Sequence, residues 1–352
     1  MWGVYTKVMA NKVLDINSKY GGKASSANFK NYEFAIDKYK PLRSPKLNVK
    51  KLFAPNEVNR LPEYIINKYK LSGLEFGNWV NQVRRLDYCL GTIISFYDLQ
   101  TILKFKNDNL GLNKTIGMAY GARGSSMAYA HYEPSSGVIN LSRDRRIDKL
   151  AKNPLLNLPR YENTSQENWD KINNINRENN SGYGSIAHEY GHALDYRCAE
   201  YFTKNRTVAL SGGRITIFSY SQPDRAYNHY MQAVTSGKSN LNELEQSFID
   251  CFTPLLFVNK KPTGFYRKVY DVAKKSEYWG YLNEIWARTF ETYIAYKLYK
   301  KGVKNLYLVR DGKGKYRDEL KKNFNRVYPT FGEIAKVEKK IDIFIETINK
   351  NL

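Results

Sequence analysis

Four histidines occur in this 352-residue sequence, and two of them stand four apart in IAHEYGHALDY, Ile186 to Tyr196. On a helix, that spacing puts His188 and His192 on one face, with their Cβ atoms about 6 Å apart. Two imidazole nitrogens so placed can reach one zinc ion at about 2.0–2.1 Å. Glu189 follows the first of them and stands beside the metal, where it can hold and deprotonate a water. The metal lowers that water's pKa toward about 7, so hydroxide becomes available at neutral pH. Two histidines making polar contacts on a buried helix are the simpler alternative, but nothing in that role requires a spacing of four.

Such a site needs a third protein ligand and leaves a fourth position for water. In YLNEIWARTFETY two glutamates qualify, Glu284 and Glu291, seven residues apart and therefore on one side of a helix. An Asn-Glu pair opening a downstream helix resembles the thermolysin-like (gluzincin) arrangement, which favours Glu284 as ligand. Glu291 is then an outer partner or the alternative ligand. Arg288, one turn after Glu284, is a candidate to pair with either carboxylate. Asp195, three residues after His192, is a candidate to orient a ligand imidazole from behind. His131, in AYAHYEP, is a candidate substrate contact, because a strand beside the active helix can pair with an extended peptide. An oxyanion would be stabilised by His229 or by a tyrosine such as Tyr293, and 29 tyrosines leave that choice open.

The elements that must position these groups read as α+β. Residues 1–73 are basic and punctuated by prolines, and are expected to form a largely irregular N-terminal arm with one short helix from Pro62 to Tyr69. Residues 74–352 are expected to form the main domain. Its pattern is helical from Glu75 to Phe105, with Gly91 a candidate break. Residues 115–141 alternate apolar and aromatic residues between glycines and predict a small antiparallel or mixed sheet against the active helix. Residues 142–180, Asn-rich and charged, read as an exposed insertion. SGGRITIFSY (211–220) suggests a strand or hairpin arm, and helices are expected at 224–235, 241–251, 279–300 and 331–348, giving a helical second half.

Composition narrows the function. Lys plus Arg number 56 against 34 acidic residues, a net charge of +22 that excludes an acidic solvating protein and suits a polyanionic partner. Part of the excess is open to a compositional explanation, since Lys, Asn and Tyr share AT-rich codons. Three widely spaced cysteines, Cys89, Cys198 and Cys251, make neither a disulfide framework nor a zinc knuckle and are expected to be buried thiols. No apolar run is long enough for a membrane span, and MWGVYTKVMANKVLD is no secretory signal.

FGNWV (76–80), IGMAYGARGSSMAYAHYEPSSGVINLS (116–142), GYGSIAHEYGHALDY, NEIWARTFETY and the ending YPTFGEIAKVEKKIDIFIETI occur in that order. Together they resemble the large polyvalent protein-associated domain, first type, a predicted zincin-type metallopeptidase domain of bacteriophages and conjugative elements. The resemblance covers roughly residues 74–348. It implies a zincin-like fold, zinc held by His188, His192 and Glu284, Glu189 as catalytic base, and a protein or peptide substrate of host or phage. It also implies action in the host cytoplasm or carriage in a phage virion. The sequence departs from the pattern in its insertion at 142–180, its near free-standing domain with a basic arm, and Arg288, where gluzincins often place an acid. The other reading is a non-enzymatic, basic phage structural or DNA-associated protein, meeting nucleic acid or virion proteins through its charge and retaining the zincin fold.

Overall fold

The computed structural model describes residues 43–54, 60–77, 80, 82–123, 130–142, 183–309 and 327–352. The arm up to residue 42 and the expected insertion from 143 to 180 lie outside them. What is described is a mixed α and β structure of eight helices and small sheets.

The main sheet is built from β2 (Leu74–Phe76), β3 (Gly117–Tyr120), β4 (Ala130–Glu133) and β5 (Val138–Leu141), in the order β2-β3-β5-β4. Strands β2, β3 and β5 are parallel, and only β4 runs antiparallel, with His131 opposite Asn140. The expectation of an antiparallel sheet therefore holds for one pair, and the mixed alternative describes the whole. The reason is connectivity. Helix α2 (Gln82–Leu103) lies between β2 and β3, and a strand returning through a helical crossover pairs in parallel. The inner strands β3 and β5 are buried along their whole length, whereas β4 alternates buried and half-buried positions, as an edge strand does. Strand β2 has only three residues, too few to show a period, and was absorbed into the expected helix.

Helix α2 is continuous through Gly91. A Cβ there would meet the Tyr183 ring at 2.8–2.9 Å, so the glycine makes room for that ring rather than breaking the helix. The Tyr183 hydroxyl in turn donates to the Asp87 carbonyl at 2.8 Å. Residues 43–54 and 60–73 of the expected arm pack onto the rest of the described structure. Val49, Phe53, Leu61, Ile65 and Tyr69 are buried in the common core, and helix α1 (Leu61–Lys68) supplies two of them. Strand β1 (Arg43–Ser44) pairs with β8 (Lys304–Asn305), and Arg43 bonds Asp98 at 2.7 Å.

The second half is helical, as expected: α4 (Pro223–Thr235), α5 (Glu243–Leu256), α6 (Gly264–Ala273), α7 (Leu282–Lys300) and α8 (Phe331–Asn351). A two-residue hairpin, β6 (Phe257–Val258) with β7 (Lys261–Pro262), joins α5 to α6. Capping boxes at Asn242/Glu245 and Thr330/Glu333 fix where α5 and α8 begin, satisfying amide groups that have no partner inside a helix. Trp286 of α7 meets Phe248 of α5 at 4.7 Å and Phe344 of α8 at 5.6 Å, which ties the three helices together. Residues 211–220 are not a strand arm. They form an irregular loop whose one bridge joins Thr216 to Tyr281. The three cysteines are buried and unpaired. No helix among the described residues is long and apolar enough to cross a membrane.

The element that positions the chemistry is α3 (Ile186–Thr203), buried over most of its surface. Its first turn is held by the segment after β8: Gly184 N donates to Tyr307 O, and Ala187 N to Leu308 O. It packs on α7 with Gly191 at the contact. A Cβ on Gly191 would stand 3.1 Å from Ala287 Cα and 3.1 Å from Phe290 Cβ. The buried Gly191 carbonyl accepts from the Trp286 indole at 3.0 Å. A mid-helix glycine costs about 1 kcal/mol against alanine, so at this position its value is close approach. Replacing Gly191 with Ala should force α3 and α7 apart and lower stability by about 1–3 kcal/mol; chemical denaturation measures this, and unchanged stability would count against the tight crossing.

Candidate metal centre

Because α3 and α7 touch at Gly191, the side chains one turn to either side face each other across the contact. His188 and His192 of α3 lie 5.0 Å apart between ring centroids. Opposite them stands Glu284, in the first turn of α7. His188 Nε2 is 3.5 Å from Glu284 Oε2, and His192 Nε2 is 3.3 Å from Glu284 Oε1. These separations are long for charge-assisted hydrogen bonds, which close to about 2.7–2.9 Å. They lie near the spacing of about 3.3–3.5 Å between two donors on one tetrahedral zinc, with each imidazole facing a different oxygen of the Glu284 carboxylate. The three residues form a group whose ligand atoms all lie within 4.8 Å of one another. Glu284 Oε2 is buried without a hydrogen-bond partner among the described residues. The donor set therefore fits a zinc ion.

Glu291 is placed differently. Its Oε2 stands 3.4 Å from Nδ1 of His188, on the far side of the ring from Glu284. That position lets it orient the imidazole and raise its basicity, the usual task of a carboxylate behind a ligand histidine. Of the two glutamates left open by the sequence, Glu284 faces the Nε2 atoms of both histidines and Glu291 faces Nδ1 of His188.

The electrostatics follow from crowding. Burial opposes charge on His188, but Glu284, Glu291 and Glu189 outweigh it and push the imidazole pKa up to about 10. Burial also works against the charge of Glu284, and His192 and His188 overcome it, holding that carboxylate well below its usual range. Glu189, only 5% exposed, is pushed upward by burial, offset in part by the two histidines. Its carboxylate makes no hydrogen bond with a described residue and borders a cavity of about 350 Å³ together with His188, His192 and Glu284. A buried carboxylate with a raised pKa, open to a cavity, suits a general base.

Two expectations are corrected. Asp195 does not orient a ligand ring. Its carboxylate accepts from Ser211 N at 2.8 Å and Ser211 Oγ at 2.6 Å, so it anchors the 211–217 loop to α3. Arg288 makes no ion pair with Glu284 or Glu291 among the described contacts. Its Nη2 donates to the Trp279 carbonyl at 2.7 Å and its guanidinium lies over the Trp279 ring, bracing the turn that precedes α7. The reason is reach: both side chains find closer partners in the loops beside their helices.

His131 borders the same cavity from β4, and Glu133 holds its Nε2 at 3.1 Å. Arg123 locks Glu133 in turn, bridging it to the buried Glu75 of β2 at 2.9 and 2.8 Å. The two groups expected for an oxyanion lie elsewhere. Tyr293 donates to Asp342 of α8, and His229 contacts Thr216 O at 3.0 Å. Tyr196, Arg214, Tyr278, Tyr281 and Asn283 border the cavity instead. Tyr278 is 47% exposed as a whole, and its hydroxyl is pushed above its ordinary range by desolvation on the cavity side and by the facing Glu284. Of these, Asn283 had a signal, as the neighbour of Glu284, and Tyr196 lies on α3 itself; Arg214, Tyr278 and Tyr281 arrive through segments that carry no period.

Residues 270–352 match the family model of large polyvalent protein-associated domain 1. The match takes in Glu284, Arg288 and Glu291, with α7 and the final helix, so the resemblance seen in the sequence holds over that stretch. The HEYGH helix lies N-terminal to it. No curated protein and no solved structure matches the chain.

The geometry makes two predictions. Metal content measured by mass spectrometry should be one zinc per chain, lost in His192→Ala and Glu284→Gln but only weakened in Glu291→Gln, by about 10–100-fold in affinity. Equal loss in both glutamate variants would contradict the assigned roles. Metal binding must also displace the proton that His188 carries below about pH 10. Zinc affinity should therefore rise by about tenfold per pH unit from pH 7 to 9 and fall in acid; a competition titration giving the same affinity across that range would refute this.

Proposed function

We propose that the chain is a zinc-dependent peptidase with a zincin-like active site. The observation that carries the reading is the convergence of His188, His192 and Glu284 at tetrahedral-edge distances beside a buried, unpartnered Glu189. His188, His192 and Glu284 would hold the ion, which when bound supplies a Lewis acid that polarises a carbonyl and lowers the pKa of a ligated water.

The chain's own groups account for the remaining needs. Glu189 takes a proton from the attacking water as the new C–O bond forms, and gives it to the amide nitrogen as the C–N bond breaks. Its raised pKa suits both halves of that transfer, because a strongly acidic carboxylate is a poor base. Tyr278 borders the cavity opposite, where its hydroxyl can donate to the oxygen that gains charge. Among the described residues no strand pairs with the outer edge of β4, and Ala130, His131 and Tyr132 border the cavity from it. An extended peptide laid along that edge would gain backbone hydrogen bonds while its scissile bond faces Glu189. Chain closure around the site, with His192 7% and Glu284 9% exposed, limits competing water.

A second reading, nucleic-acid binding, draws on a different place. Lys70, Lys106 and Lys114 converge with Asn107, Asn109 and Asn113 on a surface cavity of about 290 Å³. Such a cluster suits phosphate, and the net charge of +22 favours approach. The two readings are compatible in one molecule.

Replacing Glu189 with Gln should retain one zinc and lower peptide cleavage by about 10²–10⁴-fold. Proteolysis at the wild-type rate in that variant would end the proposed mechanism. Duplex DNA binding, measured by anisotropy, should weaken by about 10³-fold or more between 50 and 200 mM salt if six or more phosphates are contacted; absence of binding at low salt removes the second reading.

A further inference from the structure

Beside the metal-centre cavity lies a larger one of about 810 Å³. Pro134, Tyr196 and Arg214 border both, so the two share a rim. The second cavity has apolar walls from Val208, Ala209, Ile215 and Ala233, and among the described residues no aspartate or glutamate borders it. Arg214 is exposed on the common rim and makes no hydrogen bond or ion pair with a described residue.

Its position is nonetheless fixed. Gly213 O accepts from Asn283 N at 3.0 Å, and Ile215 O accepts from Leu282 N at 3.0 Å, so the backbone on either side of Arg214 is tied to the start of α7. Ser211, three residues earlier, is tied to Asp195 of α3 by two hydrogen bonds. Between them, Gly212 and Gly213 take φ of +90° and +66°, a path that other residues rarely follow. The loop is thus stapled to both helices that carry the metal-centre residues, and it holds one cation where the two cavities meet.

An unpartnered guanidinium at the mouth of a pocket without acids is best matched by a carboxylate, which it can bind through two parallel hydrogen bonds. Side chains of an extended peptide alternate between opposite faces, so of two residues flanking the scissile bond only one points toward the second cavity. We infer that this cavity receives the side chain of a substrate residue next to the scissile bond, that this residue is glutamate or aspartate, and that Arg214 determines the preference. The inference rests on the peptidase reading and names the substrate class of that same site. The strongly basic chain would also attract acidic segments at long range.

The test uses the zinc-loaded full chain and peptide hydroxamates of both chain directions, identical except for Glu, Gln, Leu or Lys beside the hydroxamate. Calorimetry should show Glu binding about tenfold tighter than Gln in one direction. Arg214→Gln should abolish that gap, and Arg214→Glu should turn the preference toward Lys. Arg214 is exposed, and melting curves of the variants should match the wild type. Equal affinity for Glu and Gln, or a gap that persists in Arg214→Gln, overturns the inference while leaving the peptidase reading intact. If no hydroxamate binds, the peptidase reading fails and the inference falls with it. A cleavage profile of a mixed peptide library is the second readout: peptides cut without an acidic flanking residue would contradict the inference alone.

Discussion

The constraint on which the candidate centre depends is the crossing of α3 and α7 at Gly191, where a single added carbon would press on Ala287 and Phe290. Everything at the candidate centre depends on that distance. The histidines and Glu284 belong to different helices and meet only because the helix axes approach so near. The Trp286 indole, bonded to Gly191 O and packed against Phe248 and Phe344, fastens the same crossing to α5 and α8. Stability and site geometry thus share one contact.

Charge is the second constraint. Three glutamates, Glu189, Glu284 and Glu291, stand buried around two imidazoles. Buried carboxylates without compensation are costly, and each here is offset by a neighbour able to carry or hold positive charge. A protonated His188 supplies part of that balance, which is why its pKa climbs. A divalent cation between the Nε2 atoms and Glu284 would supply it better, because it meets both imidazoles and the carboxylate at once. The loop at 211–217 follows the same logic of shared anchoring: Asp195 turns its carboxylate to Ser211, so the helix that carries the candidate ligands also fixes Arg214 at the rim.

The sequence disclosed the centre because chemistry there demands a spacing. His188, Glu189 and His192 were readable from one helical turn, and Glu284 from the Asn-Glu pair on a helix crowded with aromatic residues. Long periodic helices such as α7 and α8 were legible for the same reason. What stayed hidden lacks periodicity. Strand β2 is three residues long and is recruited by a parallel neighbour 44 positions away, so nothing local marks it. Gly91 looks like a helix break in sequence but answers a tertiary need, the Tyr183 ring. Asp195 and Arg288 sit on the right helices at suggestive offsets, yet loops that the pattern could not place supply their partners. Arg214 and Tyr278 reach the cavity from such loops.

The central claim is that two helices pressed together at Gly191 present His188, His192 and Glu284 as one tetrahedral ligand set. X-ray absorption on the zinc-loaded chain tests it most directly. The account predicts a first shell of nitrogen and oxygen only, at about 2.0–2.1 Å with two imidazoles, and loss of one light-atom scatterer from the protein in Glu284→Ala but not in Glu291→Ala. A shell that loses its carboxylate in Glu291→Ala, or that contains sulfur or fewer than two imidazoles, would contradict it.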